Sequence, residues 1–323
     1  MAGFVLRRLA ASFLLLYLVL TLTFFLIHLA PGDPIRLFED QRMTREQRDR
    51  LERLYHLDRP LPEQYLAWLG AIALHGDWGI SFSQQRPVTA VIADFLPRTV
   101  LLASAALAVD YAAALLFGIL AARRRGADHA IRVVSLLLLA QPAFWLGLMA
   151  ILLFSYVWPI FPSGGYPSGA DGAAPLSRLF DLLRHLALPA LVLGLYGAGT
   201  TIRFVRGSLL EVMSRDFIRA ARAKGLSEAR VVWVHGLRNA LTPLIQLFGL
   251  VLPALLSGSL IIEAVFSWPG LGWLTFTAVG TRDYPVILAT TALSGVLVAV
   301  GNLVADLAHA AADPRVRDEG RHG

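Results

Sequence analysis

No cysteine occurs in the 323 residues, and lysine occurs once, at position 224, against 28 arginines. The missing thiols exclude disulfides, thiolate catalysis and cysteine-based metal sites, and leave the redox compartment undetermined. Charge is scarce as well. Only 16% of residues are Asp, Glu, Lys or Arg, where a soluble domain carries about 25%. The signatures of common chemistry are missing too. Lys224 follows Ala223 rather than glycine, so no G-x-x-x-x-G-K-[ST] loop exists to cradle a nucleotide phosphate. There is no H-E-x-x-H, the eight histidines show no metal-ligand grouping, and no serine sits in a G-x-S-x-G setting. The expectation is a chain that is not an enzyme and binds no cofactor or metal of its own. There is also no internal repeat and no low-complexity tail.

What the chain has is apolar length. Hydrophobic residues make up 56% of it and the mean hydropathy is +0.60, which places it in a lipid bilayer. A net charge of +6 and a pI near 10.0 could point to nucleic acid. However, the basic residues alternate with apolar runs, so they read as topology signals and no nucleic-acid partner is expected.

Arg7 and Arg8 precede an apolar run from Leu9 to Ala30. At about 1.5 Å per residue it crosses a hydrocarbon core of roughly 30 Å. It exceeds the h-region of a cleaved signal and no A-x-A-like site follows, so it reads as an uncleaved first span. Residues 31–97 are the longest polar stretch. Within it, Thr44 and Gln47 form a capping-box pair opening a helix that presents Leu51, Leu54 and Tyr55. A second amphipathic piece from about Pro62 shows Tyr65, Leu66, Trp68, Leu69 and Ile72 at helical spacing. Such a stripe suits the membrane interface or the protein's own loops, with docking to a partner the lesser alternative.

Five further spans are expected near 99–121, 133–157, 186–208, 241–262 and 286–308. Placing 1–8, 122–132, 203–240 and 309–323 in the cytoplasm puts 17 of the 29 basic residues there. The fold class expected is therefore an all-α integral membrane protein with six spans and both termini cytoplasmic. Its divisions are 1–97 (first span and extracytoplasmic region), 98–311 (a five-helix core with a cytoplasmic loop at 211–240) and 312–323 (a cytoplasmic tail).

Some polar residues fall at membrane depth. Asp110 lies halfway along the second span, Gln141-Pro142 within the third, and Asn302 and Asp306 near the end of the sixth. A buried ionisable group reads by default as functional and inward-facing. Asp110 could carry a proton, touch substrate or pair with a neighbouring helix, and Pro142 could kink its span toward a wet cavity. An ion-coupled secondary transporter using Asp110 is the alternative this leaves open, and a receptor or assembly factor built on 31–97 is another. Gly194, Gly197 and Gly199 in the fourth span signal close helix packing.

The basic segment Glu211 to Pro243 is tied to apolar runs at both ends. Its pattern is helix, break, helix. Phe217, Ala220, Ala221 and Lys224 share one side of the first helix, Gly225 can end it in the left-handed conformation, and Ser227 can cap the second with Glu228 in its first turn. A loop that only fixes topology is the plain reading. The run Asp216-Phe217-Ile218-Arg219-Ala220-Ala221-Arg222-Ala223-Lys224-Gly225-Leu226-Ser227, followed by His235-Gly236-Leu237-Arg238-Asn239-Ala240-Leu241, resembles the EAA loop of ABC importer permeases, in the form seen in their dipeptide/oligopeptide branch. Arg219 stands where the general motif has Glu, and His235 to Arg238 stand where it has I-x-L-P; both departures are similar to the peptide branch. Pro31-Gly32-Asp33-Pro34, Gly76-Asp77-Trp78-Gly79-x-Ser81, and Glu263-Ala264-Val265-Phe266-Ser267-Trp268-Pro269-Gly270-Leu271-Gly272 with Arg282-Asp283-Tyr284-Pro285 resemble the same family.

The resemblance implies a type I ABC importer permease fold in a bacterial or archaeal inner membrane. It implies a second homologous permease subunit, two ABC ATPase subunits that bind the ATP and magnesium, and an extracytoplasmic solute-binding protein. Asp216, Ala220, Ala221, Arg222, Lys224, Gly225, Leu226 and Arg238 would then form the ATPase-coupling loop. Asp110, Gln141, Pro142, Phe266, Pro269, Gly270 and Gly272 become candidates for pathway and outer gate. Pro269-Gly270 and Gly272 are expected to force a turn, and the apolar stretch after them is too short to span.

Overall fold

Long apolar runs without water must satisfy their backbone internally, and helices do so. The computed structural model describes residues 2–30, 59–167, 174–240 and 259–312, and their elements are helical apart from one antiparallel bridge between Ile80 and Pro87. The helices are α1 (Ala2–Leu29), α2 (Leu61–Gly70), α3 (Val88–Arg123), α4 (Arg125–Ala140), α5 (Ala143–Ile151), α6 (Pro175–Met213) and α7 (Asp216–Ala223). After them come α8 (residues 228–240), α9 (259–265), α10 (Leu271–Thr281) and α11 (Tyr284–Ala312). Three of them contain wide π-type turns: Ala71–His75 continues α2, Leu152–Val157 continues α5, and Val231–Gly236 lies inside α8.

Four described helices are long and apolar enough to cross a membrane, namely α1, α3, α6 and α11. The count is five if α4 and α5 are taken as one broken span. Residues 241–258 of the expected fifth span lie outside the described residues, as does the helix expected from Thr44 to Tyr55.

The expected third span is not one straight helix. Its two parts meet at Gln141-Pro142 with a bend of 102°. Proline lacks the amide hydrogen and its ring clashes with the preceding turn, while Gln141 takes the extended conformation that a residue before proline prefers (φ −91°, ψ 143°). The expected kink is a full break. Two other helices exceed their apolar cores. α3 starts eleven residues before the expected 99, because Val88 and Val91 are buried against α10 and α11. α6 has 39 residues, about 58 Å at the helical rise, so it projects well beyond the hydrocarbon.

The core of the fold is the α3–α6 pair, with α4 across both. Gly194 brings α6 so close to α3 that a Cβ there would lie 2.5 Å from the Ala106 carbonyl, and Gly199 does the same toward Ser135 and Leu139 of α4. Close backbone approach is what small residues provide where the hydrophobic effect cannot drive helices together. α1 stands at the edge, with Phe13 and Leu15 exposed. The amphipathic α2 packs on it: Tyr65 lies edge-on to Phe24, Trp68 is tilted against it, and Thr21 hydrogen-bonds the Tyr65 hydroxyl at 2.8 Å. The stripe on α2 is thus used within the chain, with Leu66 left outward.

Candidate functional site

The segment after α6 is a small helical hairpin built by its own sequence. Ser214 closes α6, its hydroxyl bonding the Glu211 carbonyl at 2.7 Å. Asp216 then opens α7, where its charge suits the amide end of the helix, and Arg219 pairs with it one turn on. Gly225 ends the helix with φ +74°, and the Leu226 amide reaches back to the Ala221 carbonyl at 3.4 Å. A Cβ at Gly225 would meet nothing within 4 Å, so glycine is needed there for its backbone conformation alone. Ser227 caps α8, accepting from the Arg230 amide at 3.4 Å.

Ala220 and Ala221 differ in burial, the first exposed and the second buried. Ile218 and Ala221 are buried against Val231, with Leu226 and Met213 packed around them. Phe217 is 42% exposed and lies outward with Ala220 and Lys224. Ala221 therefore does not share one side with Phe217, Ala220 and Lys224 as expected: it is small so that α7 can lie on α8. Arg222 reaches across the turn to Glu228, Nε to Oε1 at 2.6 Å and Nη2 to Oε2 at 3.3 Å. That guanidinium holds the Glu228 carboxyl below its ordinary range. Further along, a Cβ on Gly236 would lie 2.9 Å from the Met213 sulfur, and Ser208 of α6 donates to the Ala240 carbonyl at 3.1 Å. The hairpin is seated on the end of α6, and Arg238 is exposed on it.

At the other end of the bundle, residues 263–285 fold around two buried carboxylates. Glu263 has no exposed surface, and its Oε2 accepts from the amides of Gly272 (2.6 Å) and Trp273 (3.3 Å), the N-terminus of α10. Thr99 of α3 accepts from the Leu271 amide at 2.7 Å. Trp268, also fully buried, donates from Nε1 to the Arg98 carbonyl at 3.0 Å, and the Arg98 guanidinium lies 4.7 Å over Tyr166. Phe266 is buried beside it, and its carbonyl accepts from Gly165 at 2.8 Å.

The reason for glycine here differs from the one expected. Gly270 is extended (φ −106°, ψ −173°), a conformation open to any residue, and Gly272 is helical. The left-handed residue that makes the turn is Ser267, at φ +48°. Gly270 is glycine because a Cβ would sit 2.5 Å from both Glu263 Oε2 and Thr99 Oγ1, and a Cβ on Gly272 would enter the Leu260 backbone. The second carboxylate, Asp283, accepts from Ser81 Oγ (2.6 Å), Ser83 Oγ (2.7 Å) and the Ser83 amide (3.0 Å). Two motifs some 200 residues apart in sequence thus meet at one oxygen. α10 has eleven residues, about 16 Å, too short to cross.

Asp110 is fully buried in the seam between α3 and α6, where Thr201 donates to its Oδ2 at 3.3 Å and Gly197 leaves it room. Gln141 and Pro142 lie instead at the α4–α5 break.

Residues 114–318 match the binding-protein-dependent transport system inner membrane component family, and residues 1–103 match its N-terminal membrane component. The chain belongs to this family. Among its relatives, the oligopeptide transport system permease protein AppB of Bacillus subtilis is 40% identical over 319 residues, covering 98% of this chain and 99% of that protein. The di/tripeptide transport system permease protein DppB of Pseudomonas aeruginosa is 38% identical, covering 99% and 100%. The dipeptide transport system permease protein DppB of Escherichia coli is 36% identical, covering 98% and 99%. Membership in a binding-protein-dependent family leaves the ion-coupled alternative without support. As a multi-pass component of this family, the chain resides in the inner membrane.

Three polar anchors in this family member were not singled out by sequence reading: Glu263, Asp283 and Thr201. The first two sat inside quoted motifs, but their partners are backbone amides and distant serines that no local pattern reveals. Thr201 lies one turn beyond Gly197 on α6, and only helix packing aims it at Asp110.

Proposed function

We propose that this chain is a permease subunit of an ATP-driven importer for dipeptides or oligopeptides. It forms half of the translocation pathway and is worked by a separate ATPase through the α7–α8 hairpin. The observation that carries this reading is the way the hairpin is built. A face bearing Phe217, Ala220 and Lys224 is free, while the opposite face is locked through Ile218, Ala221 and Val231 to α8 and from there to α6. A push on the free face is passed to a 39-residue helix without slack, because packed interiors shift as units rather than deforming continuously.

In this reading six spans cross the membrane, with both termini and the hairpin cytoplasmic and the 263–285 turn outside. Residues 1–97 carry the first span and an extracytoplasmic region, 98–311 the five-helix type I core, and 312–323 a tail. Two ATPase subunits bind ATP and magnesium, a second homologous permease completes the pathway, and an external solute-binding protein delivers the peptide. Closure of the ATPases moves the hairpin, α6 and the span after it, and exchanges inward-open for outward-open states. The turn around Phe266, Pro269, Gly270 and Gly272 serves as the outer gate.

Mild-detergent purification of the tagged chain from its own membrane, followed by mass spectrometry, tests the partners. Recovery of a P-loop ATPase and a second permease is expected, and clean recovery of this chain alone would sink the reading. A Gly225→Val variant tests the coupling role. The left-handed conformation costs a non-glycine residue about 1–2 kcal/mol and a β-branched one more, so transport should be lost while membrane levels hold. Undiminished uptake would show that the hairpin does not couple.

A further inference from the structure

A cavity of about 570 Å³ opens where α3 ends beside the hairpin, lined by Leu115, Leu116, Ile119, Leu120, Arg123, Arg124 and Trp233. Its chemistry is graded along the helix. Four aliphatic side chains form one wall, and two arginines close the end at the last residues of α3 and its link to α4. Trp233 of α8, 52% exposed, forms the opposite rim. Leu116 and Phe117, 64% and 38% exposed, continue the apolar wall outward, as the lipid-facing side of a spanning helix does. The arginines and Trp233 therefore stand at the boundary between hydrocarbon and water, the level that tryptophan and arginine prefer.

Among the described residues, neither Arg123 nor Arg124 forms an ion pair with a carboxylate. Asp128 is held by Arg206 at 2.5 and 2.8 Å and by Arg132 at 3.3 Å. Glu228 feels the charge of Arg123, but both of its oxygens are bonded to Arg222. Glu211 and Asp216 pair with Arg215 and Arg219. Across 123–132 and 203–238 there are twelve Lys and Arg against four Asp and Glu, so these two segments carry a positive surplus. A ligand with an anionic head, an apolar tail and a place at the interface matches all three walls.

We infer that this cavity binds an anionic phospholipid, its phosphate between Arg123 and Arg124, its proximal chain along Leu115–Leu120, and its glycerol level against Trp233. Basic pockets at the water-facing ends of spanning helices suit such headgroups. The bound lipid bridges the end of α3 to the hairpin and steadies α8 where its wide turn meets α6. The inference needs the chain to lie in a bilayer and does not rest on the transported cargo or on the ATPase assignment.

The test is native mass spectrometry of the full chain, with whatever subunits accompany it, after equilibration with phosphatidylglycerol and phosphatidylcholine in equal amounts. Wild type should retain phosphatidylglycerol preferentially. Arg123→Gln and Arg124→Gln should each lower that retention about five-fold, and Arg123→Lys with Arg124→Lys should keep the preference while guarding against misfolding. Equal retention of the two lipids by wild type would overturn the inference. So would an equal loss in the charge-matched control Arg178→Gln, an exposed position in the first turn of α6, or displacement of the lipid by excess inorganic phosphate. A photo-crosslinker at position 233 should capture lipid; capture of a protein subunit alone would show that the cavity is a subunit interface instead.

Discussion

Gly225 and Gly270 are glycines for unlike reasons, and the difference is measurable. Gly225 has open space around it and a left-handed backbone, whereas Gly270 has an ordinary backbone and no space. Gly270→Ala should therefore act as overpacking, costing about 1–3 kcal/mol, and lower the melting temperature of the purified protein in detergent. Glu263→Ala removes the acceptor for the Gly272 and Trp273 amides and should cost about as much, since an unpaired buried donor is worth roughly 1–3 kcal/mol. If both variants melt like wild type, the turn is not organised around Glu263.

Between α7 and α8 the Arg222–Glu228 pair clasps the hairpin across the Gly225 turn. Arg222 lowers the Glu228 carboxyl from its ordinary value near 4.5. A lowered carboxyl contributes fully above that ordinary value and loses its contribution as the pH falls through the lower folded one. Hydrogen exchange at residues 222–228 should thus be flat from neutral pH down to mildly acidic conditions, once corrected for intrinsic rates, and rise only in stronger acid. Glu228→Gln should raise exchange at neutral pH and converge with wild type in strong acid, where the wild-type carboxyl is itself protonated. A rise already near neutrality in wild type would mean that another group closes the hairpin. The α4–α5 element obeys a different rule, as the proline that ends α4 turns an apolar run of span length into two pieces 102° apart.

Taken whole, the molecule is a bundle about α3 and α6 with a hairpin at one end and a carboxylate-pinned turn at the other. The absence of native cysteine makes the orientation directly testable. A Ser163→Cys variant should react with a membrane-impermeant maleimide added to intact cells, while Ser227→Cys should react only after the membrane is opened. Both positions are exposed. The reverse pattern would invert the topology proposed for the hairpin and would remove the ATPase from its reach.

The sequence by itself determined the membrane class, the all-helical character and the hairpin signals at Gly225 and Ser227, because apolar length, charge bias and capping are local properties read within a few residues. It also carried the resemblance to the family to which the chain belongs. The facing of Ala221 and the burial of Asp110 in a helix seam were decided by packing. Glu263 at the start of α10 and Asp283 on the serines of the 76–87 loop belong to the same class. Those contacts join residues between 9 and 202 positions apart, and the partner of a buried carboxylate is fixed only when the chain between them has folded.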